Sequence, residues 1–250
     1  MNVLSVDFDY FIDTTLKERV LLFPDSGTEN WDWDTQILIW TSLYSTSVSN
    51  KKLHGQKDIR EIGVLNDEID ILFDLVDMYI KEDTQLLISE SHKEIASLIN
   101  KNKNSNEKIN VYNIDFHDDC FSSSETEIHC GNWARILVNE KIIDNISWIK
   151  RHDSEYIGSD IIHNIYNSIQ ELYNNPRTLS AGIDHIFICR SGMWSPPHLD
   201  DEFVRLAYGI AELMDIDEPN GASEIYHRWN NYFKNNINNL SEQIQRNIKI

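Results

Sequence analysis

Three short clusters in this chain combine carboxylates and imidazoles at spacings that could hold a metal: Asp7-Phe8-Asp9, His92, and Asp115-Phe116-His117-Asp118-Asp119. The last follows an apolar, β-prone run, Val111-Tyr112-Asn113-Ile114. If the backbone stays extended there, Asp115, His117 and Asp119 occupy alternate positions and point the same way. The other two clusters also close strand-like runs, and ligands of open α/β sheets bind at the carboxyl ends of strands. Together the clusters offer four aspartates, Asp7, Asp9, Asp115 and Asp119, and two histidines, His92 and His117. Such a set is too acidic for a closed structural zinc site, which favours cysteine. Hard oxygen donors beside imidazole suit two divalent cations of the manganese type, two Mn2+, sharing bridging carboxylates and holding an activated water.

The elements that must position these residues follow from hydrophobic period. Val3 to Val6, Gln85 to Ser89, the run before Asp115, Ile146 to Lys150 and His185 to Cys189 read as strands. Between them, helices are expected at Asp34 to Thr46, from Asn66 with that residue as N-cap, at Lys93 to Asn100, Asp160 to Tyr173 and His198 to Met214. The Lys51 to Lys57 stretch reads as an exposed loop, and a polar, Asn-rich helical segment is expected from about residue 223. Strands alternating with helices predict an α/β fold, a single doubly wound and mainly parallel sheet with helices on both faces, forming one domain over residues 1–250.

Composition narrows the function. With 250 residues and 41% hydrophobic content, the chain can bury one large core. Its net charge of −19 excludes a nucleic-acid-binding surface, because phosphates would be repelled, and favours basic peptides or guanidinium compounds. No window approaches the roughly 18 apolar residues of a membrane span. The first residues enter a strand-like run with no basic leader, so a cytoplasmic protein with no membrane partner is expected. Cys120, Cys130 and Cys189 are odd in number and scattered, which reads as thiols and not as a disulfide framework.

The motifs resemble those of the arginase/agmatinase (ureohydrolase) superfamily, whose dimanganese site takes a His after one strand, an Asp-x-His-x-Asp motif after the next and an Asp-x-Asp pair after a later one. Asp115-Phe116-His117-Asp118-Asp119 matches the central motif without a gap, and His92 stands upstream like the first histidine ligand. Ser89-Glu90-Ser91 replaces the usual Gly-Gly-Asp before that histidine. Val3-Leu4-Ser5-Val6-Asp7-Phe8-Asp9 resembles the family's Ser-x-Asp-x-Asp strand end, but it precedes the central motif. A circularly permuted strand order accounts for this, an arrangement similar to that of peptide arginases that convert arginine residues of ribosomally made precursor peptides into ornithine.

The resemblance implies an arginase-like three-layer α/β/α fold and a dimanganese hydrolase that cleaves the guanidinium of arginine residues in a peptide, giving ornithine and urea. The implied metal ligands are Asp7, Asp9, His92, Asp115, His117 and Asp119, and the implied partner is an arginine-containing precursor peptide. His129, in a loose counterpart of the family's His-Gly-x-Pro segment, is the expected proton shuttle, beside Asp119 at the reacting centre. An acceptor for the guanidinium is expected among Glu155, Asp200, Asp201 and Glu202, which follow strand ends, although helix N-terminal charge also accounts for them without any substrate. Trp194 is placed at the entrance. Two other readings stand beside this one. Val6-Asp7-Phe8-Asp9 also resembles the haloacid-dehalogenase-type phosphatase motif, with Asp7 as nucleophile, Asp9 as acid/base and magnesium as cofactor, but that reading gives no role to His92, His117 or His129. A non-catalytic metal-binding interaction module fits if the clusters do not converge. A zinc deacetylase is disfavoured because no His-His pair occurs.

Overall fold

A computed structural model describes residues 1–24, 33–54, 56–104, 107–121, 126–154, 160–217 and 219. Six strands form one sheet: β1 (Asn2–Asp7), β2 (Ile80–Ser89), β3 (Asn110–Ile114), β4 (Asn145–Ile149), β5 (Asn164–Tyr166) and β6 (Ile183–Cys189). Their spatial order is β2-β6-β1-β3-β4-β5, and every pairing between strands is parallel. The central β1 is buried along its whole length, with apolar Val3, Leu4 and Val6 beside polar Asn2, Ser5 and Asp7.

Alternation along β1 divides the core. Val3, with Val111, Ile146, Phe187 and Cys189, packs under α4 (Glu94–Asn102) and α5 (Trp133–Asn139). Leu4 and Val6, with Tyr112, Ile114, Ile186 and Ile188, face α2 (Trp33–His54), α3 (Asn66–Tyr79), α6 (Ile169–Tyr173) and α7 (Asp200–Leu213). The short α1 (Leu16–Leu22) joins this second layer through Leu22. The fold class expected from the alternation is the one observed, a three-layer α/β/α sandwich, and its sheet is wholly parallel. From β1 the chain proceeds to the β2 edge, whereas from β3 it proceeds outward through β4 to β5. The order therefore reverses between β1 and β3, where a ligand crevice is expected.

Several boundaries differ from the sequence expectation. Helix α2 runs through His54, past Thr46 and into the stretch read as a loop. Its apolar period lapses there, but Ser45 and Ser49 turn their hydroxyls onto the carbonyls of Thr41 and Ser45, and Ser47 Oγ accepts from Ile59 N at 2.7 Å. Asn66 is the first helical residue of α3 and not its cap; Leu65 takes that place, and Asn66 Oδ1 accepts from Arg205 of α7. The single helix expected over 160–173 is a strand, β5, followed by the one-turn α6. Ser168 caps α6 by accepting from Glu171 N at 3.1 Å, which breaks the segment in two. The helical segment expected from about residue 223 lies outside the described residues. No helix among the described residues is long and apolar enough to cross a membrane.

Candidate metal centre

The strand-end clusters meet at the crevice between β1 and β3. After β1 the chain makes a single 3-10 turn over Phe8–Phe11, with Asp7 as its N-cap; Asp7 Oδ1 accepts from Asp9 N at 3.0 Å. This leaves Asp7 Oδ2 facing His92 Nδ1 at 3.1 Å. The turn also brings Asp9 round, so that Asp9 Oδ2 lies 3.0 Å from His117 Nδ1. A two-residue spacing thus aims two neighbouring carboxylates at two different histidines.

The 115–119 segment is bent and not extended, which corrects the expected alternate-position geometry. Asp115 Oδ1 accepts from His117 N at 2.8 Å, closing a tight turn, and Asp119 adopts a left-handed conformation, φ 52°, that aspartate tolerates better than most residues. As a result Asp115 Oδ2 and Asp119 Oδ2 face His92 Nδ1 at 3.2 and 3.0 Å, while the His117 ring turns toward Asp9. Asp115 Oδ1 stands 3.8 Å from His117 Nδ1. Two potential ligand groups result, Asp7 with His92 and Asp115, and Asp9 with Asp115 and His117, each with its donor atoms within 4.8 Å of one another. Asp115 belongs to both.

The donor set fits a divalent cation. His92 Nδ1 is buried and makes no hydrogen bond, although three carboxylates surround it. Its other nitrogen, Nε2, lies 2.6 Å from Ser5 Oγ. With Nε2–H donating to that hydroxyl, the Nδ1 lone pair points into the carboxylates, as a metal-ligating histidine requires. Charge tells the same story. Burial, with Asp9 alongside, raises the Asp7 carboxyl above its ordinary range, and burial with Asp119, Asp7 and Asp9 raises Asp115 well above it. Burial opposes a charged His92, yet Asp119 and the other carboxylates hold its protonated form well above the usual histidine range. A cation held there would replace those protons as the countercharge.

A second layer of contacts fixes the ligands. His92 stacks on Phe187, with ring centres 5.7 Å apart and 11° between planes, and Trp133 flanks it at 5.2 Å. Trp133 Nε1 donates to Asp119 Oδ2 at 2.5 Å, and Ser191 Oγ donates to Asp7 Oδ2 at 2.5 Å. Arg19 donates to the Asp9 carbonyl and approaches Asp9 Oδ2 at 3.4 Å, with its guanidinium 3.8 Å from the Phe116 ring centre. Burial works against ionised Asp9, but His117 and Arg19 lower it to about 2. Sequence reasoning missed all of these supports. Ser5 carried a readable signal, as a hydroxyl inside the apolar run Val3-Leu4-Ser5-Val6. Ser5→Ala is expected to weaken metal binding about 10–100-fold with little change in fold, measured by competition against a chromogenic chelator.

The other expected site residues are placed differently. His129 sits one turn before α5, its Nδ1 accepting from Gly131 N at 3.2 Å and its main chain from Trp133 N. Its neighbour Cys130 lines the cleft beside His92, together with Glu90, Ser91, Ser191, Gly192 and Trp194. Trp194 also lies against His117, ring centres 4.9 Å apart, at the more open side of the centre, where the His117 side chain keeps 39% exposure. Asp200 is buried and held by Arg190, whose Nε and Nη2 donate to Asp200 Oδ1 at 2.9 and 2.5 Å; burial pushes this carboxyl up to about 7. Glu202 is exposed on α7 and accepts from Arg205 Nε at 2.9 Å. Asp201 occupies the same first turn of α7, and Glu155 lies outside the described residues. Cys120, Cys130 and Cys189 carry no disulfide.

No protein-family model matches this chain, and comparisons with curated proteins and with solved structures likewise return no match. The buried aspartates and histidines that could hold a metal ion therefore carry the functional reading on their own geometry.

Proposed function

We propose that the protein is a dimanganese hydrolase of the arginase type, cleaving the guanidinium of arginine residues in a peptide to leave ornithine and release urea. One observation carries this reading: Asp7, Asp9, His92, Asp115 and His117 come from three strand ends and meet in two groups that share Asp115, with Asp119 Oδ2 facing His92 Nδ1 at 3.0 Å. Cations held there supply Lewis acidity and lower the pKa of water, as hydrolysis of a poor electrophile such as guanidinium requires.

The remaining work falls to the chain itself. Ser5 keeps the Nδ1 face of His92 toward the carboxylates, Arg19 orients Asp9, and Trp133 holds Asp119. His129 accepts a backbone N–H at Nδ1, which leaves Nε2 as the atom through which it would take up a proton and pass it to the leaving amine. The charge of −19 attracts a basic peptide and concentrates it near the site. A paired assay of the manganese-loaded protein tests the reading, with free arginine in one arm and an arginine-containing peptide in the other. The expected result is urea release and a loss of about 42 Da from the peptide, the arithmetic difference between arginine and ornithine residues. No mass loss in either arm overturns the hydrolase reading, and reaction of free arginine alone overturns the peptide substrate.

A further inference from the structure

One residue beside the centre keeps a backbone conformation that its type disfavours. The register of the sheet sets Asp7, at the end of β1, opposite Cys189, at the end of β6. A chain that stayed extended beyond that point would carry Ser191 roughly 6–7 Å past Asp7. It turns back instead. Ser191 has φ 52°, in the left-handed region, and its carbonyl accepts from Trp194 N at 2.7 Å. That region crowds the β-carbon of serine against the backbone, whereas glycine enters it freely. A glycine stands at the very next position, yet the left-handed place is filled by serine. The side chain is thus what this position keeps.

The turn brings the Ser191 hydroxyl to 2.5 Å from Asp7 Oδ2. Asp7 Oδ1 is already held by Asp9 N at 3.0 Å, so Ser191 supplies the second anchor and both oxygens of the carboxylate are fixed. Oδ2 is the oxygen that faces His92 Nδ1 at 3.1 Å. The hydroxyl is steadied in turn: Cys189 Sγ lies 3.4 Å from Ser191 Oγ and accepts from Ser191 N at 3.3 Å. From the α2 side, Trp40 Nε1 donates to the Gly192 carbonyl at 2.8 Å, and the turn ends with Trp194 against His117. Residues 191–194 thus reach a ligand of each metal group.

We propose that Ser191 is a positioning residue of the metal centre, kept in a left-handed turn so that its hydroxyl fixes Asp7 in the orientation a cation needs. The assignment rests on the metal centre of the hydrolase reading above. A carboxylate that is free to rotate must be ordered when the cation arrives, and that ordering weakens binding; one pinned beforehand avoids it. Partners of this kind change metal affinity about 10–100-fold. In this role Ser191 acts through Asp7 and not on the substrate.

Substitutions at this one position separate the hydroxyl from the backbone. Metal-free protein is titrated with Mn2+ alone and followed by calorimetry, so turnover is not needed. Ser191→Gly removes the hydroxyl and suits the left-handed turn; it is expected to weaken manganese binding about 10–100-fold. Ser191→Thr keeps the hydroxyl but sets a β-branched residue at positive φ; it is expected to bind manganese more tightly than the glycine variant although its Tm is lower. A purely conformational role gives the reverse order, glycine tight and threonine weak. A Ser191→Gly protein with wild-type affinity overturns the assignment, and a wild type that takes up no manganese removes it together with the metal centre. Should threonine prevent folding, Ser191→Ala decides: it is expected to lose as much affinity as glycine, and an alanine protein that binds far more weakly than the glycine one overturns the assignment. If the expected order appears but no arginine peptide is hydrolysed, the hydrolase reading fails while Ser191 stands, so the two failures are separable.

Discussion

Asp115→Asn protein, prepared with excess manganese, is expected to retain less than one ion per chain and to lose urea release by at least about 10²–10³-fold, the scale of removing one preorganised electrostatic group from a reacting centre. The reason is its shared position: Asp115 faces His92 through one oxygen and His117 through the other. Asparagine keeps the size but supplies one neutral acceptor where two charged ones are needed. Asp9→Asn is the informative contrast, because Asp9 belongs only to the group with His117. It is expected to remove one ion and leave the other. Metal analysis of the two variants checks the arrangement, and an Asp115→Asn protein with full manganese and full rate rules out the shared ligand.

The second large effect concerns stability. In metal-free protein Asp7 and Asp115 are raised above the ordinary carboxyl range, and His92 and His117 above the ordinary histidine range. Each of the four binds more protons in the folded state over the interval between its ordinary and its raised value, so stability falls as pH rises through that interval. For the histidines, the stabilisation is complete below about 6.5 and is lost as pH climbs through their raised folded values. Asp9 behaves oppositely: its contribution is present above the ordinary aspartate range and is lost only as pH falls toward 2. Manganese must displace the extra protons, so its binding strengthens with pH. At about a thousandfold excess over its Kd the cation adds about 4 kcal/mol, or roughly 8–16 °C in Tm for a chain of this size. The increment is expected to be larger at pH 8 than at pH 6, and a calorimetric scan at the two values checks it. An equal or smaller increment at pH 8 contradicts the ligand set.

Much of this centre could be read in the sequence because its parts obey short-range rules. Carboxylates and histidines at strand ends announce themselves by type and spacing, and β1, β3 and β6 are almost wholly buried runs that neither helix period nor turn chemistry imitates. The missing parts depend on distant neighbours. β5 has three residues and a half-exposed pattern, so its strand character comes from pairing with β4 and not from its own alternation. The burial of Asp200 depends on Arg190, which no local period reveals. Asp115 to Asp119 was legible in content and not in shape, because the turn that separates His117 from its neighbours is made by the ligands' own backbone hydrogen bonds.

The pairing order of the sheet has a consequence for assembly. β2, which leads to His92, hydrogen-bonds to no other strand than β6 among those described, and β6 is the strand that ties it to β1. As the chain is synthesised, residues 1–119 deliver Asp7, Asp9, His92, Asp115, His117 and Asp119, yet β2 has no strand to pair with among those described until residues 183–189 emerge and insert. A strand that contributes none of the clustered aspartates and histidines thus completes the sheet edge beside them.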